Sequence, residues 1–251
     1  MRGAGALLSD LTAERQLADA AVQLVDKLLD EEAAEDAVLE EWAHWCSAHF
    51  GVREAGVLLA DDGGALRVVA ATAPDVRMLQ TVAADSGEGP GPGAFHSGMP
   101  VVVDDLAAAA DRWPAYASWA DEFGIVAIGS LPLRHRASSR VLGVLNLFVA
   151  ESVPSKESMR AAQSLADAAG TGLAHRRAMG AARRTVGQLE HALASRVLIE
   201  QAKGILAERW RTDVGTAFDR LRRHARSRRV RLDDISRAVV ARDPDGDPFA
   251  V

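Results

Sequence analysis

AGVLLADDGGALRVVAA, Ala55–Ala71, carries the chain's clearest strand signal. Two apolar runs rich in valine and leucine, Ala55–Ala60 and Leu66–Ala71, flank Asp61-Asp62-Gly63-Gly64. A short glycine-containing loop between such runs predicts a β-hairpin. Downstream, Val101–Val103, Ile125–Leu133 and Val141–Val149 read as three further strands, separated by helical pieces at Asp75–Ala84 and Pro114–Phe123. A hairpin followed by strands alternating with short helices predicts an α+β domain, an antiparallel sheet with flanking helices. Between them, Asp85–Gly93 (DSGEGPGPG) predicts an irregular loop, because glycine admits unusual backbone angles and proline removes amide donors.

Upstream of the hairpin the apolar period is helical. Leu7, Leu11, Leu17, Ala21, Leu24 and Leu28 mark an amphipathic helix, most simply one that meets a partner or a second copy. Asp36–His49 is a second helix ending at Gly51, with Trp42 and Trp45 packed toward the sheet.

After Pro154 the next proline is Pro244. Ser155 is the expected N-cap of a long helix. Met159, Ala162, Ala166, Ala169, Leu173, Val186, Leu189 and Leu193 keep a near-heptad spacing along it. Gly170, Gly172, Gly180 and Gly187 each weaken it by ~1 kcal/mol relative to alanine, so the sequence leaves open whether the helix breaks near Gly180. Beyond it, Val214, Ala217, Phe218, Leu221 and Ala225 form one apolar stripe, with Thr212 as the expected N-cap. Leu232, Ile235 and Val239 mark a shorter helix. With Ala192–Arg209 as the first helix, three helices make a small bundle. The expected organisation is an N-terminal helix at 1–33, a sensor domain at 34–174, a helical connector at 175–185, the bundle at 186–243 and an acidic tail at 244–251.

The net charge of −6 hides an asymmetry. Through His175 the chain holds 12 Lys+Arg against 25 Asp+Glu, whereas Arg176–Arg242 holds 17 basic and 7 acidic residues. An acidic module thus precedes a basic one suited to an anionic partner. On the second bundle helix Asp219, Arg222, Arg223 and Arg226 repeat at helical spacing away from the apolar stripe. On the first, Arg196 and Lys203 share a face with Glu200 between them. Arg228, Arg229 and Arg231 follow without nearby acids, an excess beyond what surface ion pairs require, and phosphate neutralisation is its commonest use.

Catalysis finds little support. The chain has no His-Glu-x-x-His pair, Walker loop or Gly-x-Ser-x-Gly elbow. The single cysteine, Cys46, excludes internal disulfides and cysteine-rich zinc sites, and inside a helix beside Trp45 it reads as a buried, inert thiol. His44, His49, His96 and His135 are scattered, and no metal site is expected. No apolar run approaches the ~18 residues of a membrane span, and Ser9-Asp10 interrupts the N-terminal apolar patch, so a cytoplasmic location is expected.

Ser195–Leu206 (SRVLIEQAKGIL), Ala217-Phe218, Leu221-Arg222, Ala225 and Leu232 together closely resemble the ANTAR domain of bacterial transcription antiterminators. Gly87-Glu88-Gly89-Pro90, Pro100–Leu106, Ser130–Leu133 and Gly143–Leu147 resemble a GAF sensor domain of the actinobacterial type that precedes ANTAR. The resemblance implies an RNA-binding regulator, not an enzyme. Its ANTAR bundle, acting as a homodimer, binds paired stem-loops in nascent RNA and prevents a terminator from forming. Arg196, Lys203 and Arg222 match basic positions of that family, and Ala202, Gly204, Ala217 and Ala225 match its small packing positions. With Arg226, Arg228 and Arg231 they make the expected RNA surface.

The chain departs from the family in two places. Gly91 stands where GAF domains of this kind often carry cysteine, and the asparagine common before the third helix is replaced within Arg228–Arg231. The GAF effector, a small molecule or a protein, is not named by the sequence. Trp113, Tyr116, Trp119 and Glu88 are the candidate lining residues, and no cofactor is identified. The rival reading is a ligand-sensing dimer whose basic helical end binds DNA or an acidic protein. A GAF-type sulfoxide reductase requires several cysteines, and one is present.

Overall fold

Alternate residues of the central strands point to opposite faces, and both faces are apolar here, so the strands need helices on each side. The computed structural model describes residues 2–151, 153–241 and 249, with side chains from residue 15 onward. In chain order its elements are α1 (Arg2–Leu29), α2 (Glu35–His49), β1 (Glu54–Ala60), β2 (Leu66–Ala71), α3 (Pro74–Ser86), α4 (Pro90–Ser97), β3 (Val101–Val103), α5 (Pro114–Glu122), β4 (Ala127–His135), β5 (Arg140–Val149), α6 (Lys156–Trp210), α7 (Val214–Arg228) and α8 (Leu232–Ala241). They form two units, Met1–Ala178 and Met179–Val251. The side chains of Leu7 and Leu11 lie outside the described residues, as does the acidic tail apart from Phe249.

In the first unit five antiparallel strands run in the order β2-β1-β5-β4-β3. Ala55, Val57 and Leu59 of β1, with Leu145 and Leu147 of β5, bury against Leu24 and Leu28 of α1, Trp42 and Ala43 of α2, and Ala162, Ala166 and Leu173 of α6. On the opposite face Ile128 and Phe148 pack with Val76 and Leu79 of α3 and Tyr116 of α5. Each fully buried leucine or valine contributes ~1.5 to 3 kcal/mol relative to exposure. One polar chain crosses this core: Ser130 Oγ donates to Asn146 Oδ1 (2.7 Å), Asn146 Nδ2 to Gln80 Oε1 (3.2 Å), and Gln80 Nε2 to the Ala70 carbonyl (3.0 Å). Each partner is satisfied, so the network fixes α3 on the sheet without an orphaned group.

The segment expected to be irregular at Asp85–Gly93 instead ends α3 and starts α4. Gly87 closes α3 in the left-handed region at φ 70°, and Pro90 opens α4 at its first position. Pro90 and Pro92 both fall in a first turn, where amides have no partner within the helix, so their missing donors break nothing. Gly91 is a matter of space: a β-carbon there would meet Asn146 Oδ1 at 3.2 Å and Leu58 Cδ1 at 3.3 Å.

Ser155 caps α6, its Oγ accepting the Ser158 amide at 3.2 Å. The helix continues through Gly180, where the sequence leaves a break open. Its five glycines weaken it by only ~1 kcal/mol each, and Gly170 and Gly172 sit where neighbours pack closely. Gly170 lies against the Arg134 backbone, where a β-carbon would meet nitrogen at 2.5 Å. Beside it Asp167 receives Arg134 Nε at 2.8 Å and Nη2 at 3.0 Å. Arg176 donates to the carbonyls of Leu28 (3.0 Å), Asp30 (2.6 Å) and Ala33 (2.6 Å), tying α6 to the carbonyl end of α1.

In the second unit Ala202, Leu206, Ala217, Leu221, Ala225, Ile235 and Val239 form the core. Asp213, not Thr212, caps α7: its carboxylate accepts the Thr216 amide at 2.9 Å and the Thr216 hydroxyl at 2.6 Å, which holds the acid below the usual range. Thr212 is instead spent in the preceding turn, its amide bonded to the Ala207 carbonyl. Val214 is 47% exposed, because the buried seam of α7 starts one turn later at Ala217.

Gly170 and Gly187 separate packing from helix propensity within one helix. Gly187→Ala, with nothing within 4 Å of the new methyl, is expected to stabilise by about 1 kcal/mol. Gly170→Ala is expected to destabilise by about 1 to 3 kcal/mol through the clash with Arg134. Chemical denaturation of both variants checks the opposite signs.

Candidate nucleic-acid interface

Four of the eight buried positions of the bundle core are alanines, Ala202, Ala207, Ala217 and Ala225. Methyl groups let helices approach closely, so longer side chains at the seam edges are turned outward. Lys203 and Phe218 mark one such edge. The Lys203 ammonium lies 5.1 Å from the Phe218 ring centroid, which sets a flank of α6 beside one of α7. Arg196 stands two turns before Lys203 on that face of α6, and Arg222 follows Phe218 by one turn on α7.

The six expected RNA contacts differ in freedom. Arg196, Arg222, Arg226 and Arg228 are exposed and have no acid within 4 Å among the described residues. Lys203 is the most withdrawn, its side chain 17% exposed and its ammonium held by both Glu200 oxygens at 2.9 and 2.8 Å. Arg231 does have a nearby acid, contrary to the sequence reading: its Nε lies 3.3 Å from Asp233 Oδ1. Asp233 sits in the first turn of α8, where the helix dipole favours a carboxylate, and its Oδ2 also lies 3.7 Å from His191 Nε2.

The turn from α7 to α8 gathers a second basic surface. His224, Arg228, Arg229, Arg231 and Arg237 line one concavity with Asp234 as its acid. Arg229 holds φ 55°, and its amide and that of Val230 bond to the carbonyls of Arg226 and Ala225. This is the closure glycine usually makes, here made by arginine, and it answers how the turn closes without asparagine. Sequence reasoning did not single out Arg237, since only the direction of α8 brings it to Arg228.

The sensor candidates take a different form. Trp113 is 7% exposed beneath the Arg112 guanidinium, 4.4 Å from its ring centroid. Tyr116 is buried against Gly89, and burial pushes its hydroxyl pKa up. Trp119 packs on Phe123 at 5.5 Å. The three rings belong to one hydrophobic cluster, while Glu88 is exposed in the turn before α4. Burial also pushes the Cys46 thiol far above the thiolate range, as expected of an inert side chain. Among the described residues no group of three or more His, Cys, Asp or Glu is placed to hold a metal. No described helix is long and apolar enough to cross a membrane.

The GAF domain model matches residues 32–174 and the ANTAR domain model matches 187–240. A comparison with curated proteins finds no match. Among solved structures, a domain of a protein described as a two-component sensor histidine kinase from Sinorhizobium meliloti 1021 is 21% identical, covering 60% of this chain and 97% of that one at TM-score 0.49. Free methionine-R-sulfoxide reductase from Neisseria meningitidis, in complex with its substrate, is 20% identical, covering 65% and 91% at TM-score 0.48. The GAF domain of phosphoenolpyruvate-protein phosphotransferase from Acinetobacter is 14% identical, covering 64% and 93% at TM-score 0.48. GAF and ANTAR are regulatory domains, and no catalytic family is matched, although GAF neighbours include an enzyme. The chain belongs to the GAF domain family, and with an ANTAR domain following its GAF domain it is a GAF and ANTAR domain-containing regulator.

Proposed function

We propose that the chain is an RNA-binding transcription antitermination regulator, in which the GAF domain controls an ANTAR bundle that binds stem-loops in nascent RNA and prevents a terminator from forming. The observation that carries this reading is the set of exposed arginines, Arg196, Arg222, Arg226 and Arg228, that have no acid within 4 Å among the described residues, on a bundle matched as ANTAR. Guanidinium groups meet phosphates bidentately and stack on the unpaired bases of loops, the parts of RNA that carry readable sequence. Arg229 adds a second strand of support. A non-glycine residue in the left-handed region is strained by ~1 to 2 kcal/mol, and such strain is retained where the side chain has a use.

The proposed active form is a homodimer. Val186, Leu189, Leu193 and Val197 are 52 to 65% exposed and follow one another at helical spacing on α6. A contiguous exposed apolar seam of near-heptad spacing is the seam of a two-helix coiled coil. An effector at the GAF domain, a small molecule or a protein, would act by binding one of two states better than the other, since a ligand shifts an equilibrium only by that difference.

Three outcomes are expected. Arg222→Ala and Arg226→Ala each weaken stem-loop binding and flatten the slope of log affinity against log salt by ~0.7, with far-UV helicity unchanged. Unchanged affinity and slope in both would remove this face from the site and leave the concavity at Arg228–Arg237. Lys203→Ala behaves differently, lowering the thermal midpoint as well as affinity, because its ammonium also holds Glu200 and Phe218. Leu189→Asp with Leu193→Asp converts a dimer at micromolar concentration to a monomer by sedimentation; a monomeric parent chain would count against the coiled-coil seam.

A further inference from the structure

Phe249, beyond α8, packs back onto the bundle at a place the basic surfaces leave unexplained. Its ring meets Trp210 edge-on, at 5.0 Å between centroids and 87° between planes, and His224 at 4.9 Å and 65°. Trp210 also carries the Arg220 guanidinium, 5.4 Å from its ring centroid, and Arg209 Nη1 donates to the Phe249 carbonyl at 2.8 Å. An indole and an imidazole thus meet one half-buried phenyl ring, while one guanidinium holds the Phe249 carbonyl and another lies over the indole. Trp210 and Phe249 pack at the edge of the aliphatic core of Leu206, Leu221 and Ile235, and their outer side carries the polar groups. Flat π-surfaces combined with guanidinium groups are the chemistry that holds an unstacked nucleobase beside its phosphate.

We propose that Trp210, His224, Arg209 and Arg220 form a pocket for a single unpaired base of RNA, and that Phe249 occupies it in this structure as an internal competitor. His224 also lines the concavity of Arg228 and Arg229, so a base seated on Trp210 has cationic groups in reach for the adjoining phosphates. The phenyl ring must leave before a base enters, so the affinity of the intact chain is reduced by the fraction of time the pocket is closed. The inference rests on the RNA-binding reading and adds a site to it that charge alone does not supply.

The test compares the full chain with Phe249→Ala, Phe249→Leu and Phe249→Tyr, using a labelled hexaadenylate, a hexamer carrying one 5-iodouridine, a stem-loop RNA and linear polyphosphate. Phe249→Ala is expected to bind hexaadenylate at least about fivefold more tightly than the parent, the least that one base–aromatic stack supplies. Phe249→Tyr should match the parent, and polyphosphate, which has charge but no base, should bind all forms alike. Photo-cross-linking of the iodouridine to Trp210 should rise in Phe249→Ala. If Phe249→Ala does not fold, the same comparison on Phe249→Leu decides, since that variant keeps an apolar side chain without a ring. Equal hexaadenylate affinity in the parent and the folded variant, with no cross-link to Trp210, overturns the pocket; unaltered stem-loop binding alongside it leaves the RNA reading intact. Tighter hexaadenylate binding with no stem-loop binding by any form supports the pocket and refutes the stem-loop reading. Loss of binding to both RNAs in every form refutes both.

Discussion

Helix α6 has to satisfy two cores with one unbroken backbone. Ala162, Ala166, Ala169 and Leu173 are committed to the sheet, Ala202 and Leu206 to the C-terminal bundle, and the apolar residues between them face water. Gly170 makes the first commitment close by admitting the Arg134 backbone, and the Asp167–Arg134 pair closes over it at the edge of the core. Val186, Leu189 and Leu193 stay exposed between these commitments, and the proposed dimer rests on them.

The charge asymmetry follows the same division. The acidic first unit spends many of its charges locally: Arg67 bridges Asp36, Arg53 meets Asp75, Lys27 meets Glu41 and Arg77 meets Glu40. The bundle pairs Lys203 with Glu200 and Arg231 with Asp233, and leaves Arg196, Arg222, Arg226 and Arg228 directed at solvent. Small core residues make this arrangement, because helices that approach through alanine carry their long cationic side chains at the rim. Exposed ion pairs contribute little to stability, so arginines that meet no acid among the described residues represent little lost folding energy and a strong field for an anionic partner.

Much of this was legible in the chain because it is local. The hairpin at Ala55–Ala71, the helix at Glu35–His49 and the seam of Ala217, Leu221 and Ala225 each follow from residue spacing within one element. The bundle's basic face was legible as charge, but not which cations are free. Asp233 captures Arg231 only because α8 begins at Leu232, and Lys203 is drawn to Phe218 only when α6 and α7 pack. Proline and glycine density at Pro90–Gly93 misled for a physical reason: rules that forbid helix interiors do not apply to a first turn. Nor does any local pattern bring Phe249 to Trp210, a contact between residues far apart in the chain. The aromatic residues Trp113, Tyr116 and Trp119 show the converse, since side chains suited to lining a ligand site also pack a core, and spacing does not tell the two apart.

The central claim is that the basic bundle serves a sensor by recognising RNA. It is tested most directly by a binding selection in which the full chain, in parallel reactions at fixed salt, captures fragments from transcribed genomic RNA and from the matching double-stranded DNA. RNA recognition by the bundle predicts enrichment of a small set of RNA fragments that fold as neighbouring stem-loops, with no enriched DNA. Enrichment of DNA fragments sharing a sequence, or RNA recovered in proportion to its abundance without a shared fold, would contradict it.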